Sequence, residues 1–336
     1  MRVFVTGATG FIGRALVRAL RAQGWEVTAL VRDPDNAQAR ELSALGVTLA
    51  RGDVTQRESM RAPMTGAAAV IHNAGLYEMG GDAALDARMS AVNIEGTRNA
   101  LGLADELKIP KIVYVSTAFY WGESGGRVRD ESFVRETAPL SHYEATKTEA
   151  HELALGFQRN GCPLVIVCPV AVTGEGDHAA LGHFARLYVR GLLPPIGFGN
   201  GVLSFVHVDD VANALVRAVD AGRIGETYLF SGGQLPLREV FRLWQTTPGG
   251  FRRIWWWMPK WLAVAYGALL EAPQRWLKLP RLFSADLARA AFMDLRFSGA
   301  KAERELGVHF RDPRQSWLDT LSAERAVAVR SDRKAS

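Results

Sequence analysis

The chain begins MRVFVTGATGFIGRALVRAL (residues 1–20), with Gly7, Gly10 and Gly13 three residues apart behind the apolar run Val3-Phe4-Val5. Phe11, Ile12, Ala15, Leu16, Ala19 and Leu20 then recur at helical spacing. A short run rich in β-branched and aromatic residues reads as a buried parallel strand, so the glycines occupy a strand-to-helix junction. There, missing Cβ atoms permit a tight turn, let the backbone approach a pyrophosphate, and let the helix pack close to the strand. The helix N-terminus offers unpaired N–H groups to the same anion. The stretch therefore predicts a phosphate-binding turn, with Gly7, Thr9, Gly10, Phe11, Ile12 and Gly13 holding a dinucleotide.

Strand-like and helix-like segments alternate beyond it. Strands are expected at 26–32, 47–53, 68–75, 111–118 and 162–169, and helices at 36–45, 88–107 and 145–160. Such a βαβ series specifies an α/β Rossmann fold: a doubly wound parallel sheet with helices on both faces. A length of 336 residues is long for one core and calls for a second, smaller lobe. The expected division is a dinucleotide-binding domain over 1–170, to which segments around 204–230 return. A C-terminal substrate lobe would cover 171–325, with an unstructured tail at 326–336.

Composition narrows the function classes. The formal charge is +5, from 40 basic and 35 acidic residues scattered along the chain. Mild basicity suits an anionic cofactor, and no basic run with interleaved aromatics suggests nucleic acid. Cys162 and Cys168 are the only cysteines. With no paired His or Cys nearby they make no metal site, and they read as core thiols of a reducing compartment. The N-terminus has no signal-peptide pattern, which implies a cytoplasmic protein. The uncharged stretch 261–270 is too short for a bilayer. A buried helix, an apolar substrate wall and contact with a membrane surface remain, in that order of preference.

The landmarks TGATGFIG (6–13), GDVTQ (52–56), HNAG (72–75), NIEGTRNAL (93–101), VSTAFYWG (115–122), YEATK (143–147), PVAVTGEGD (169–177) and FVHVDDVANAL (205–215) follow one another. In these the chain resembles, over nearly its whole length, the extended short-chain dehydrogenase/reductases. That family includes NAD(P)-dependent epimerases and dehydratases, dihydroflavonol-reductase-like enzymes and 3β-hydroxysteroid dehydrogenases. The resemblance implies that Thr117, five residues before Gly122, is the catalytic hydroxyl, with its neighbour Ser116 as the substitute. It places Asp53 and Val54 near the adenine, Ala74 and Gly75 behind the phosphates and ribose, and Pro169 and Val170 beside the nicotinamide. Asn93 would tie a helix to the neighbouring strand. Cys168 stands where the family often has an arginine. His207 would orient a loop, and His142 would sit in the substrate pocket or on the surface.

The residues also argue for the chemistry directly. Tyr143 and Lys147 are four apart and share one helical face. An ammonium near a phenol favours the phenolate, so Lys147 is expected to lower the Tyr143 pKa toward working pH and fit it for proton transfer. The end of the second strand sets the cofactor. Arg32 there would pair with the 2′-phosphate of NADP, whereas Asp33 in that position would bind the ribose of NAD; NADP is preferred and NAD is the alternative.

Thr117 is followed by Ala118 and Phe119, not by the Asp-Glu pair that the resemblance would imply for a dehydratase, which argues against sugar 4,6-dehydration. The aromatic lobe carries Trp244, Trp255, Trp256, Trp257, Trp261 and Trp276, which suits a flat apolar substrate. The expected activity is hydride transfer between a nicotinamide and a carbonyl or secondary alcohol of a sterol-, flavonoid- or similar ketone-like small molecule. Sugar-nucleotide epimerisation with the same Tyr, Lys and Thr is the alternative, kept open by Arg252 and Arg253. An NADP-binding sensor or scaffold without turnover is the third reading. The 88–107 and 145–160 helices offer faces for a homodimer seam or for solvent.

Overall fold

The computed structural model describes residues 1–78, 82–250, 253–276 and 284–335, with the side chains of 272–276 and 331–335 left aside. Seven strands form one parallel sheet: β1 (Arg2–Thr6), β2 (Glu26–Val31), β3 (Thr48–Arg51), β4 (Ala69–His72), β5 (Ile112–Val115), β6 (Leu164–Pro169) and β10 (Thr227–Phe230). Their order is β3-β2-β1-β4-β5-β6-β10. It reverses between β1 and β4, and a crevice opens there at the carboxyl ends of the strands. All residues of β4, β5 and β6 are buried, as strands covered on both faces must be.

The helices are α1 (Phe11–Ala22), α2 (Ala37–Ala44), α3 (Arg61–Met64), α4 (Ala83–Ser90), α5 (Gly96–Glu106), α6 (His142–Arg159), α7 (Ala180–Val189), α8 (Val208–Asp220), α9 (Leu237–Gln245), α10 (Lys260–Trp276), α11 (Ala285–Ala290), α12 (Ala300–Leu306) and α13 (Pro313–Ala335). Helices cover both faces of the sheet. Ala15 of α1 packs with Val208 and Ala212 of α8, while α5 packs against α6.

The remaining strands, β7 (Ala171–Thr173), β8 (Ile196–Phe198), β9 (Val202–His207), β11 (Gln234–Pro236), β12 (Trp256–Met258) and β13 (Asp294–Leu295), belong to the lobe. β9 is the hub of a four-stranded sheet with β7, β11 and β13, and β8 pairs with β12. The lobe has its own core of Phe184, Tyr188, Phe205, Phe241, Trp244, Trp317 and Leu321.

Four boundaries differ from the sequence reading. The 88–107 segment is not one helix: α4 begins at Ala83, and a π-helical turn over Ala91–Glu95 separates it from α5. α6 starts three residues earlier than expected. Ser141 accepts from the Glu144 amide at 3.2 Å and the Glu144 carboxylate accepts from the Leu140 amide at 2.7 Å, a capping box whose acid reaches the residue before the N-cap, in the sequence Ser-His-Tyr-Glu. The returning segment 204–230 divides, since β10 joins the main sheet while β9 organises the lobe; Phe297, Ala302, Leu306 and Phe310 also pack into the main core. The tail expected at 326–336 is corrected, because α13 continues through Ala335.

Candidate functional site

The three glycines each answer a different steric demand. Gly7 adopts a φ of +68°, and a Cβ there would lie 2.7 Å from the Ala74 nitrogen of the loop after β4. Gly10 is the N-cap of α1, with no side chain capping it and no acidic residue in the first turn. Gly13 is pressed so closely under the turn that a Cβ would meet the Gly7 carbonyl at 2.0 Å. A tight turn, an uncapped helix N-terminus facing the crevice and close helix packing together fit a dinucleotide pyrophosphate.

A directed hydrogen-bond chain fixes the second loop of the crevice. The Ala74 amide donates to Thr6 Oγ1 at 3.1 Å, leaving the Thr6 hydroxyl to donate to His72 Nδ1 at 2.8 Å. His72 Nε2 meets Thr97 Oγ1 at 3.1 Å, and Thr97 donates to the Asn93 carbonyl at 2.7 Å. The network assigns His72 a proton on Nε2 only. Burial holds its pKa down at about 3, with Lys147 adding to the effect.

The capping box at Ser141 puts Tyr143 in the first turn of α6, with Lys147 one turn on. Tyr143 faces Thr117 at the end of β5 and packs edge-on against Tyr77, ring centroids 4.7 Å apart, and Phe119 at 6.1 Å. Lys147 lies behind the phenol and donates to the Tyr114 hydroxyl and the Val115 carbonyl, both at 3.2 Å. Burial, the largest influence on Lys147, lowers its pKa. Tyr114 and Tyr143 outweigh it, and the net shift is upward, which keeps the amine charged.

The expected lowering of Tyr143 is corrected. Burial raises the phenol and exceeds the opposing pull of Lys147 and Thr117, so its net shift is upward. The sequence showed the neighbouring charge and not the depth at which the pair is buried.

One continuous cavity of about 480 Å³ joins these parts. Gly7, Thr9, Gly10, Phe11, Ile12, Arg32, Asp53, Val54, Ala74 and Gly75 line one portion; Ser116, Thr117, Tyr143, Pro169 and Val170 line another. Gly13, Asn93 and Lys147 do not line it. Asn93, in the π-helical turn, accepts from the Leu76 amide at 2.8 Å and donates to the Leu76 carbonyl and Thr146. Its polar atoms clamp a cavity loop to α6 rather than tying a helix to the neighbouring strand, and none of them lines the cavity.

Arg32 lines the cavity beyond β2, whereas the Asp33 carboxylate accepts from the Asp35 amide at 3.0 Å. Ser116 is engaged by His151 Nδ1 at 2.8 Å. His207 caps α8 by accepting from the Asp209 amide at 3.2 Å, and His142 is on the surface beside Ser90.

The sequence reading misplaced the aromatic wall. Trp244 is core, packed on Tyr188, Phe241 and Trp317; Trp255, Trp256 and Trp261 are exposed; and Trp257 meets Phe241 edge-to-face beneath Arg238. Among the described residues no tryptophan lines the cavity, and Arg252 and the Trp276 side chain lie outside the description.

Its apolar end is built instead from Phe184, Phe198, Phe205, Phe241, Leu237, Leu287 and Phe297. These residues come from six separated segments, so no local motif marks them. Tyr77 and Asp177 were also missed, although each sits within or beside a motif. Asp177 is buried and lines the same cavity; burial raises its pKa to about 6 against the pull of the Ala179 amide.

Residues 3–230 match the model of the family described as NAD dependent epimerase/dehydratase. The chain is 31% identical to the 4-hydroxy-2-methyl-3-oxo-4-farnesyl-3,4-dihydroquinoline-1-oxide ketoreductase of Stigmatella aurantiaca, covering 96% of each chain. It is 29% identical to the sterol demethylase protein B of Methylococcus capsulatus, covering 96% of this chain and 98% of that one. Among solved structures, a putative epimerase from Burkholderia cenocepacia J2315 matches with a TM-score of 0.76 and 26% identity, over 97% of this chain and 98% of that one.

Proposed function

Since the chain belongs to the NAD-dependent epimerase/dehydratase family of extended short-chain dehydrogenase/reductases, we propose that it is an NADP(H)-dependent reductase of a ketone carried on a largely apolar small molecule. The observation that carries this reading is the continuity of the cavity: Tyr143 and Thr117 stand between the glycine loop and a wall of phenylalanine and leucine side chains. A diphosphate sugar would bring charge and hydroxyls to that wall, which offers them few partners. The names of two relatives, one a ketoreductase of a farnesylated ring and one concerned with sterols, agree with it.

A nicotinamide held by the glycine turn would supply the hydride when bound. Tyr143 gives its phenolic proton to the carbonyl oxygen, and its raised pKa keeps that proton in place at neutral pH. The Thr117 hydroxyl donates to the same oxygen and orients it. Lys147 stays protonated and favours the phenolate left behind. Arg32, which lines the cavity where Asp33 does not, would pair with the 2′-phosphate.

A homologous series of alkyl ketones tests the substrate class. Each added methylene that is buried should raise kcat/KM by about fourfold until the cavity is filled. A flat series, with turnover confined to nucleotide sugars, would overturn the reading.

A further inference from the structure

The exposed tryptophans Trp255 and Trp261 lie on the outer face of the layer that covers the cavity. Trp255 is 80% exposed, Trp261 71%, Leu269 71% and Leu192 65%. Solvent-facing indoles and leucines at this level, gathered in one region, mark an interaction surface.

Backbone contacts gather them. The Gly250 amide donates to the Tyr188 carbonyl at 2.8 Å, the Trp255 amide donates to the Pro195 carbonyl at 2.9 Å, and β12 pairs with β8. α10 follows β12 directly and carries Trp261 and Leu269. On the inner side of the same layer, Phe198 of β8 faces the cavity. So does Leu287 of α11, a helix set so close to α10 that a Cβ on Gly267 would lie 2.5 Å from the Ser284 carbonyl.

Charge names the partner. Neither 187–201 nor 240–270 contains an aspartate or glutamate, while Arg190, Arg253 and Lys260 are exposed beside the apolar side chains. Exposed indoles beside Arg190, Arg253 and Lys260 match the headgroup region of a bilayer that contains anionic lipid, with Glu271 at the far end of the patch as its nearest acid along α10. Among the described residues no helix is long and apolar enough to cross a membrane, so the contact is peripheral.

We propose that the β8–β12 ribbon and α10 dock this protein on an anionic lipid surface. The docking does not depend on the hydride chemistry. Its use, to pass an apolar substrate from the bilayer through the covering layer into the cavity, rests on the function proposed above.

Flotation of the full chain with vesicles tests the proposal, using phosphatidylcholine alone or mixed with phosphatidylglycerol, at low and high salt. The protein should float with the mixed vesicles at low salt, with a blue shift of tryptophan emission, and salt should release it. The combined variant Trp255→Ser, Trp261→Ser, Leu269→Ser and the pair Arg253→Glu, Lys260→Glu should each lower the bound fraction at least ~tenfold. Both should keep the wild-type melting temperature and NADPH affinity.

Absence of flotation with either vesicle, equal flotation with both, or undiminished binding by the variants would overturn the proposal. So would a lipid-free dimer that the triple variant dissolves, because a second copy would then be what covers the rings. Flotation is read without turnover, so a failure of docking and a failure of the reductase reading appear in different measurements.

Discussion

At Tyr143 two influences on one proton compete. Burial outweighs the ammonium of Lys147, and the phenol is held above its ordinary range. Tyr143→Phe removes the proton and keeps the ring that packs on Tyr77 and Phe119. Turnover should fall at least about a hundredfold while NADPH affinity, read by fluorescence titration, is retained. Wild-type-like turnover would remove Tyr143 from the reaction. Lys147 lies behind the phenol, outside the cavity wall, so Lys147→Met should reduce kcat and shift the pH dependence of the reaction; a loss confined to stability would make the lysine a buried strut only. Arg32 has an equally direct test. Arg32→Ala should weaken NADPH by about 1.5–3 kcal/mol, or ten- to a hundredfold, and leave NADH nearly unchanged. Tight NADH and poor NADPH in the wild type would move the ribose contact to Asp33. These residues were readable in the sequence because each sits in a short motif. Tyr77 and the phenylalanine wall were not, because only the folded chain brings them together.

At the scale of elements, β1, β4 and α5 are joined through His72, and the end of β5 is joined to α6 through His151. Both imidazoles are buried and held neutral, each with a pKa pushed down to about 3, chiefly by burial. A group lowered in this way gives stability that is full above its unfolded value, near 6.5, and lost as pH falls toward 3. At pH 5 each should cost about 2 kcal/mol relative to neutral pH. Urea unfolding of wild type and His72→Gln at pH 7 and pH 5 separates this effect from packing. The variant begins less stable, but its loss on acidification should be smaller by about 2 kcal/mol; equal losses would show that the imidazole is not held neutral. The capping box that starts α6 was visible as Ser141-His142-Tyr143-Glu144, and reading it would have placed the helix start correctly. The π-helical turn left no comparable mark, since its Asn93 is held by Leu76 and Thr146 from distant segments.

Across the whole molecule, the parallel sheet was legible from its apolar runs, and β1 to β6 stand where those runs predicted, with trimmed ends. The lobe was legible as a change of character and little more. Its short strands pair with partners remote in the chain, as β9 does with β7, β11 and β13, and periodicity over three residues carries little information. The tryptophans misled for the same reason: an aromatic-rich sequence does not say which rings face inward, and here the inward positions fall to phenylalanines. The central claim, a net reduction by Tyr143 at the junction of the glycine loop and the apolar wall, is tested most directly by following NADPH and alcohol together with an apolar ketone as substrate. The account predicts one NADPH consumed per alcohol formed, with the rate lost in Tyr143→Phe. Interconversion of nucleotide sugars with no net change in the cofactor, or an undiminished rate in that variant, would contradict it.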